Sequence, residues 1–241
     1  MKLAPNEMPN GLLFALRLTE ISRWGIVATS RQQSVGEHSY RVVMIAQALY
    51  DYVFTIPHNS DDRNLLTSFA MVHDIMEVLS GDLDAVFKLA VKSRYPEVFN
   101  ETIGTMAKQR LDAGPLANTV ASLERSVKGT FIEVLVKMAD FLEALVYLDQ
   151  YGTHSRHAHN VRDTILEHLW GRVEQFKRSS YYGVDVAHWQ RVEKFINLVL
   201  DSPGLQEKAA RNEINASVGQ AVAEARRGID TSERFENEYR G

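Results

Sequence analysis

The chain has no cysteine among its 241 residues, which excludes disulfides, thiolate metal sites and a cysteine nucleophile. It has no apolar run long enough to cross a bilayer. The opening stretch MKLAPNEMPNGLLFALRL is too short in its apolar part for a signal sequence, and a Glu and two Pro precede that part, so a soluble, cytosolic protein is expected. Basic residues are not in excess either. Lys and Arg number 27 against 31 Asp and Glu, a net charge of -4, which argues against a partner as polyanionic as a nucleic-acid polymer. A small anion remains within reach, because one local group of Arg and Lys suffices to hold it. Internal repeats and low-complexity linkers are missing, and so is clean period-two alternation, the mark of half-buried strands.

What is present is helical periodicity. Apolar residues make up 45% of the chain, enough at this length to bury a substantial core. Helices are expected at about 9–22, 35–54, 60–79, 83–94, 97–112, 117–126, 130–150, 156–178, 185–201 and 204–226. Ser34 can cap the second of these and Asn59-Ser60-Asp61 the third, while Pro57, Pro96, Pro115 and Pro203 fall between segments. Gly81, Gly129 and Gly152 mark ends or turns. The fold class is therefore all-α, with residues 1–241 read as one helical domain whose last segment, from Gln206, is a peripheral or partner-facing helix.

Four polar residues stand inside apolar helical segments. His38 lies one turn into SVGEHSYRVVMIAQAL, His73 and Asp74 lie in LLTSFAMVHDIMEVLSG, and Asp140 lies in VLVKMADFLEALVYL. Adjacent residues on a strand face opposite ways, but on a helix His73 and Asp74 sit side by side and can grip one cation. A lone histidine on an apolar face is usually a hydrogen-bonded core residue, and a lone buried aspartate usually caps or pairs. Four such residues on three segments would each need a separate buried partner, and one metal ion supplies all of them. Two imidazoles and two carboxylates make a hard-to-borderline site for one divalent cation, Co, Mn, Zn, Fe, Ni or Mg. Positions left open on the ion would admit water and a substrate oxygen, giving a nucleophile near neutral pH and a polarised phosphoryl group. Glu77 follows His73-Asp74 by one helical turn and shares their surface. Arg23, Lys137 (one turn before Asp140) and Lys88 could hold phosphate oxygens, and Trp24 could wall off a nucleoside.

These residues resemble a known family. Arg23-Trp24, Glu37-His38-Ser39, the run H-D-x-x-E-V-L-x-G-D-L over 73–83 and V-K-x-A-D over 136–140 look like the HD-domain phosphohydrolases, in particular the bacterial 5'-deoxynucleotidase branch and its phage relatives. The likeness covers about residues 10–150. It implies an HD-type helical bundle with a catalytic core there and additional C-terminal helices over about 155–241, and homodimers or higher homo-oligomers are common in the family. It implies His38, His73, Asp74 and Asp140 as metal ligands. Glu77 would orient or deprotonate the attacking water or relay a proton, and Asp82 would assist, as a possible general acid. Arg23 and Lys137 would hold phosphate, with Lys88 a weaker candidate, and Trp24 would lie where a 2'-hydroxyl would clash. The chain departs from the family in two places. Asp84-Ala85-Val86 replaces prolines, which implies a helical loop and a different substrate lid, and Gly25-Ile26 replaces a proline after Arg-Trp. Ile26 is similar to the base-contacting residue of phage dATP triphosphohydrolases.

The expected reaction is hydrolysis of 2'-deoxynucleoside 5'-monophosphates to deoxynucleoside and phosphate. The alternatives are a dNTP triphosphohydrolase, with dATP one candidate substrate, releasing tripolyphosphate, a non-catalytic nucleotide-sensing module, or a helical scaffold. Retention of Glu77 and Asp82 speaks against the sensor, since a pure binder has no need of a water-activating acid. His154, His157 and His159 in YGTHSRHAHN suggest a second metal site less well than they suggest a polar helix start.

Overall fold

Ser34 decides where the first long helix begins: its hydroxyl accepts the Glu37 N–H at 3.1 Å and so caps α1 (Val35–Val53). The sequence S-x-x-E is a capping box, but the Glu37 carboxylate turns instead to Arg31, 2.9 Å away. The structure is a computed structural model and describes residues 13–54, 60–82, 91, 93–97, 106, 115–153, 155–181 and 183–202. Lys88, Asp84-Ala85-Val86, His154 and the helix expected at 204–226 lie outside the described residues. Of the segments 83–94 and 97–112 only isolated positions are described.

After α1 come α2 (Ser60–Val72), α3 (Glu77–Ser80), α4 (Pro115–Val127), α5 (Phe131–Tyr151), α6 (Arg156–Arg178) and α7 (Val186–Leu200). Residues 13–16 are helical and run into a 3-10 turn, Arg17–Thr19. Among the described residues no strand forms, only the isolated bridges Ser22 to Ser34 and Thr29 to Gly152. The protein is all-α. The expected boundaries of α1 and of α4 to α7 stand within about two residues, the ordinary uncertainty of helix ends.

α5 is the centre of the bundle. It buries residues around most of its circumference, from Ile132 through Leu135, Met138 and Leu142 to Leu148, as a helix hydrophobic on nearly every side must. It packs against α1 and α6, while α1 packs on α2 and α2 on α4. Gly152 ends α5, and a Cβ there would come within 2.5 Å of the Leu148 carbonyl oxygen. Contacts divide the chain into one unit ending at Val199 and a second beginning at Leu200, of which only residues 200–202 are described.

Two expectations are corrected. The first helical segment stops at Thr19 rather than continuing to residue 22. The Ser22 to Ser34 bridge, with Arg23 N–H donating to the Gln33 carbonyl (2.8 Å) and Val35 N–H to that of Ile21 (2.9 Å), pulls the chain into an extended loop that carries Arg23 and Trp24. The helix expected over 60–79 is broken at residues 73–76. In an unbroken helix the Ala70 carbonyl would accept the Asp74 N–H; here the His73 Nδ1–H donates to it at 2.7 Å. The backbone tightens to three-residue bonding, Ile75 to Val72 at 3.0 Å and Glu77 to Asp74 at 2.9 Å, before α3 resumes. Ile75 on this turn packs with Ala117 and Val120 of α4, fixing the turn against the bundle.

Candidate metal centre and nucleotide cavity

Three pieces of chain converge. His38 comes from the first turn of α1, His73 and Asp74 from the turn after α2, and Asp140 from the middle of α5, and one donor atom from each lies within 4.8 Å of all the others. The His38 Nε2 is 3.1 Å from Asp140 Oδ1 and 3.4 Å from Asp74 Oδ2; the His73 Nε2 is 3.2 Å from Asp74 Oδ2.

Both imidazoles are turned by a bond on the far nitrogen. The His38 Nδ1–H donates to Glu143 Oε2 at 2.5 Å and the His73 Nδ1–H to the Ala70 carbonyl. Each Nε2 is therefore directed at the carboxylates, and each is buried without a hydrogen-bond partner. Lone pairs and carboxylate oxygens so close together require a positive charge among them, supplied by protons or by a metal. The titration behaviour expresses the same demand. Burial and the Arg23 guanidinium disfavour a charged His38, yet the neighbouring carboxylates of Asp140, Asp74 and Glu143 outweigh them and hold its pKa up to about 10. Burial also opposes a charged His73, but Asp74 and Asp140 raise its pKa. Burial would raise the two aspartates; His73 and Lys137, respectively, lead the groups that hold them well below the usual carboxylate range. The donor set, the orphaned nitrogens and the second bond on each histidine fit a divalent metal.

Glu143 had no place in the sequence reading. It is fully buried on α5, one turn after Asp140, and gathers four partners: His38, Gln33 Nε2 (2.8 Å), Arg41 Nε (2.9 Å) and Arg23 NH1 (3.5 Å). A carboxylate that close to a ligand aspartate in an otherwise apolar run was the available signal.

Beside the four donors opens a cavity of about 490 Å³. Arg23, Trp24, Ile26, Glu77, Asp82 and Lys137 all line it together with Asp74 and Asp140. Lys137 Nζ lies 3.0 Å from Asp140 Oδ2; burial works against its charge, but Asp140 chiefly pushes its pKa up to about 12. Asp82 accepts the Trp24 backbone N–H at 3.0 Å and lies 3.9 Å from Arg23 Nε. Trp24 has φ +66, a left-handed backbone that costs a bulky residue energy. The Asp82 bond, a bond from its indole N–H to Gln33 Oε1 (2.9 Å) and parallel stacking on Tyr147 at 5.7 Å hold it there.

The opposite wall is α6, expected only as helical support; Val161, Ile165, His168 and Arg172 line the cavity from it. His157 and His159 stand in the first turn of α6, where His159 Nδ1 bonds the Ser155 carbonyl at 2.8 Å, and among the described residues they join no metal-binding cluster. Among the same residues no helix is long and apolar enough to cross a membrane.

The family model described as 5'-deoxynucleotidase YfbR-like matches residues 12–170. A dATP triphosphohydrolase of Salmonella phage PMBT28 is 28% identical over 193 residues, covering 73% of this chain and 91% of the phage protein. A 5'-deoxynucleotidase of Shewanella oneidensis is 34% identical over 95 residues, covering 39% of this chain and 48% of that protein. Among solved structures, the Cyanophage S-2L HD phosphohydrolase DatZ, bound to dA and one catalytic Zn2+ ion, superposes with a TM-score of 0.61 at 23% identity, over 84% of this chain and all of its own, a likeness of fold.

Proposed function

Since this chain belongs to the YfbR-like HD phosphohydrolases and is a metal-dependent phosphohydrolase, we propose that its substrate is a 2'-deoxyribonucleotide and that it cleaves the bond between the 5' oxygen and the α-phosphorus. The observation that carries the reading is the meeting of His38, His73, Asp74 and Asp140 beside a cavity that Asp74 and Asp140 line together with Glu77, Asp82, Arg23 and Lys137.

A divalent ion held by His38, His73, Asp74 and Asp140 supplies Lewis acidity toward the phosphoryl oxygens and lowers the pKa of water. The chain's own residues do the rest. Arg23 and Lys137 bind the non-bridging oxygens and offset the charge that grows on them. Glu77, buried on the first turn of α3, orients the attacking water and takes its proton. Asp82 relays that proton to the departing 5' oxygen, so one P–O bond forms, one breaks, and the products are a deoxynucleoside and the phosphate chain. Trp24, clamped by Asp82, Gln33 and Tyr147, presents a rigid face to the sugar, and a 2'-hydroxyl is rejected by contact. A monophosphate yields orthophosphate by this chemistry, and a triphosphate yields tripolyphosphate.

The test is a panel of deoxy- and ribonucleotide mono-, di- and triphosphates, with Co or Mn added and the phosphate products identified. Deoxynucleoside should appear, ribonucleotides should react far more slowly, and His73→Ala and Asp74→Ala should each abolish turnover. Turnover intact in either variant overturns the reading.

A further inference from the structure

We infer that Arg172 of α6 is a further phosphate-binding cation facing Lys137 across the cavity, and that the best-fitting substrate carries β- and γ-phosphates; this rests on the phosphohydrolase reading above.

The register of α5 against α6 carries the argument. Only residues 152–155 separate the two helices, and two contacts show them antiparallel: Arg162 Nε to Asp149 Oδ1 at 2.7 Å, and His168 stacked on Phe141 at 5.8 Å with 21° between ring planes. One turn beyond that stack lies Lys137 on α5 and Arg172 on α6, and both line the cavity. One turn the other way lie Ala144 and Ile165, followed by Val161, again on the cavity wall and on the Trp24 side, since Trp24 stacks on Tyr147 still further along α5. The cavity thus runs from an apolar end of α5 and α6 residues, flanked by Arg23, Trp24 and Asp82, to a cationic end at Lys137 and Arg172, with Asp140 on its edge between them and Glu167 also lining it from α6. A nucleotide with its α-phosphorus at that edge and its base in the apolar end directs any further phosphates toward Lys137 and Arg172.

The pairing of charges agrees. On α6, Arg162 is neutralised by Asp149, Lys177 by Glu174 and Glu193, and Arg178 by Glu174. Lys137 is shared with Asp140. Among the described residues Arg172 has no carboxylate within ion-pair distance; its NH1 donates to the neutral Gln175 Oε1 at 2.6 Å. Gln175 lines the same cavity. An oriented guanidinium with no acid beside it suits phosphate oxygens.

Calorimetric titration of the manganese-loaded chain with inorganic tripolyphosphate and with orthophosphate, at buffered free Mn2+, tests this. Wild type should bind tripolyphosphate about tenfold tighter or more, and Arg172→Gln should lose about tenfold for tripolyphosphate, with partial recovery in Arg172→Lys. The ratio of kcat/KM for dATP over dAMP should fall in parallel. Equal tripolyphosphate affinity in wild type and Arg172→Gln overturns the inference. Failure of the wild type to hydrolyse any nucleotide overturns the phosphohydrolase reading instead, while the binding result still decides Arg172.

Discussion

Glu143 shows how one residue away from the donors governs them. A histidine that donates from Nδ1 to a buried carboxylate is locked in the tautomer whose Nε2 is the ligand, and such partners typically change metal affinity about 10–100-fold. Glu143→Gln keeps the shape and an acceptor but loses the charge, so metal affinity should fall by about that range, as read by competition with a fluorescent chelator. Glu143→Ala instead leaves His38, Arg23 and Arg41 facing an empty acceptor, and should cost about 3–5 kcal/mol in denaturant unfolding. The four converging donors were legible because each is a polar residue in an apolar segment. Glu143 obeys the same rule, but it reads as an accessory of Asp140 until distances separate the donor from its support.

At the scale of elements, the periodicity that revealed the helices concealed the interruption at residues 73–76. Val72, Ile75, Met76 and Leu79 keep helical spacing straight through residues 73–76, so no sequence pattern marks the break. Its cause is a side chain taking a backbone carbonyl. Past this turn, Gly81 caps α3 at φ +68, ψ 176, a conformation essentially reserved for glycine, and the next residue is Asp82. Because Asp82 holds the Trp24 backbone and flanks Arg23, strain at Gly81 should reach the substrate wall. Gly81→Ala should cost about 1–3 kcal/mol of stability and weaken discrimination against ribonucleotides, measured as the dAMP to AMP ratio of kcat/KM. A variant that loses stability but keeps that ratio would show that the Trp24 clamp stands without Asp82. The role of α6 was invisible for a different reason. Its cavity-facing residues are a mixed set, Val161, Ile165, His168 and Arg172, and only the register against α5 gives them a common purpose.

For the whole molecule, the donors tie α1, the turn after α2, and α5 into one unit, so metal binding and folding are linked. An ion present at about 1,000 times its Kd adds about 4.1 kcal/mol. For a chain of this size that is roughly 8–16 °C in Tm, lost on chelation. The pH dependence should differ between the two forms. In the metal-free chain the His38 pKa is raised from about 6.5 to about 10, so its stabilising contribution is complete below the lower value and is lost as pH climbs through the upper one. The aspartates, held low, are fully ionised throughout that window and add no slope. In the loaded chain the ion must displace those imidazole protons, so binding at pH 7 releases protons and tightens as pH rises. The Tm gap between loaded and chelated protein should therefore widen from pH 6.5 upward, a trend that scanning calorimetry across that range reads directly. Asp74→Ala should remove both the gap and the proton release. A gap that stayed constant with pH, or that survived in Asp74→Ala, would mean that the ion binds elsewhere and that the cluster is held together by its protons alone.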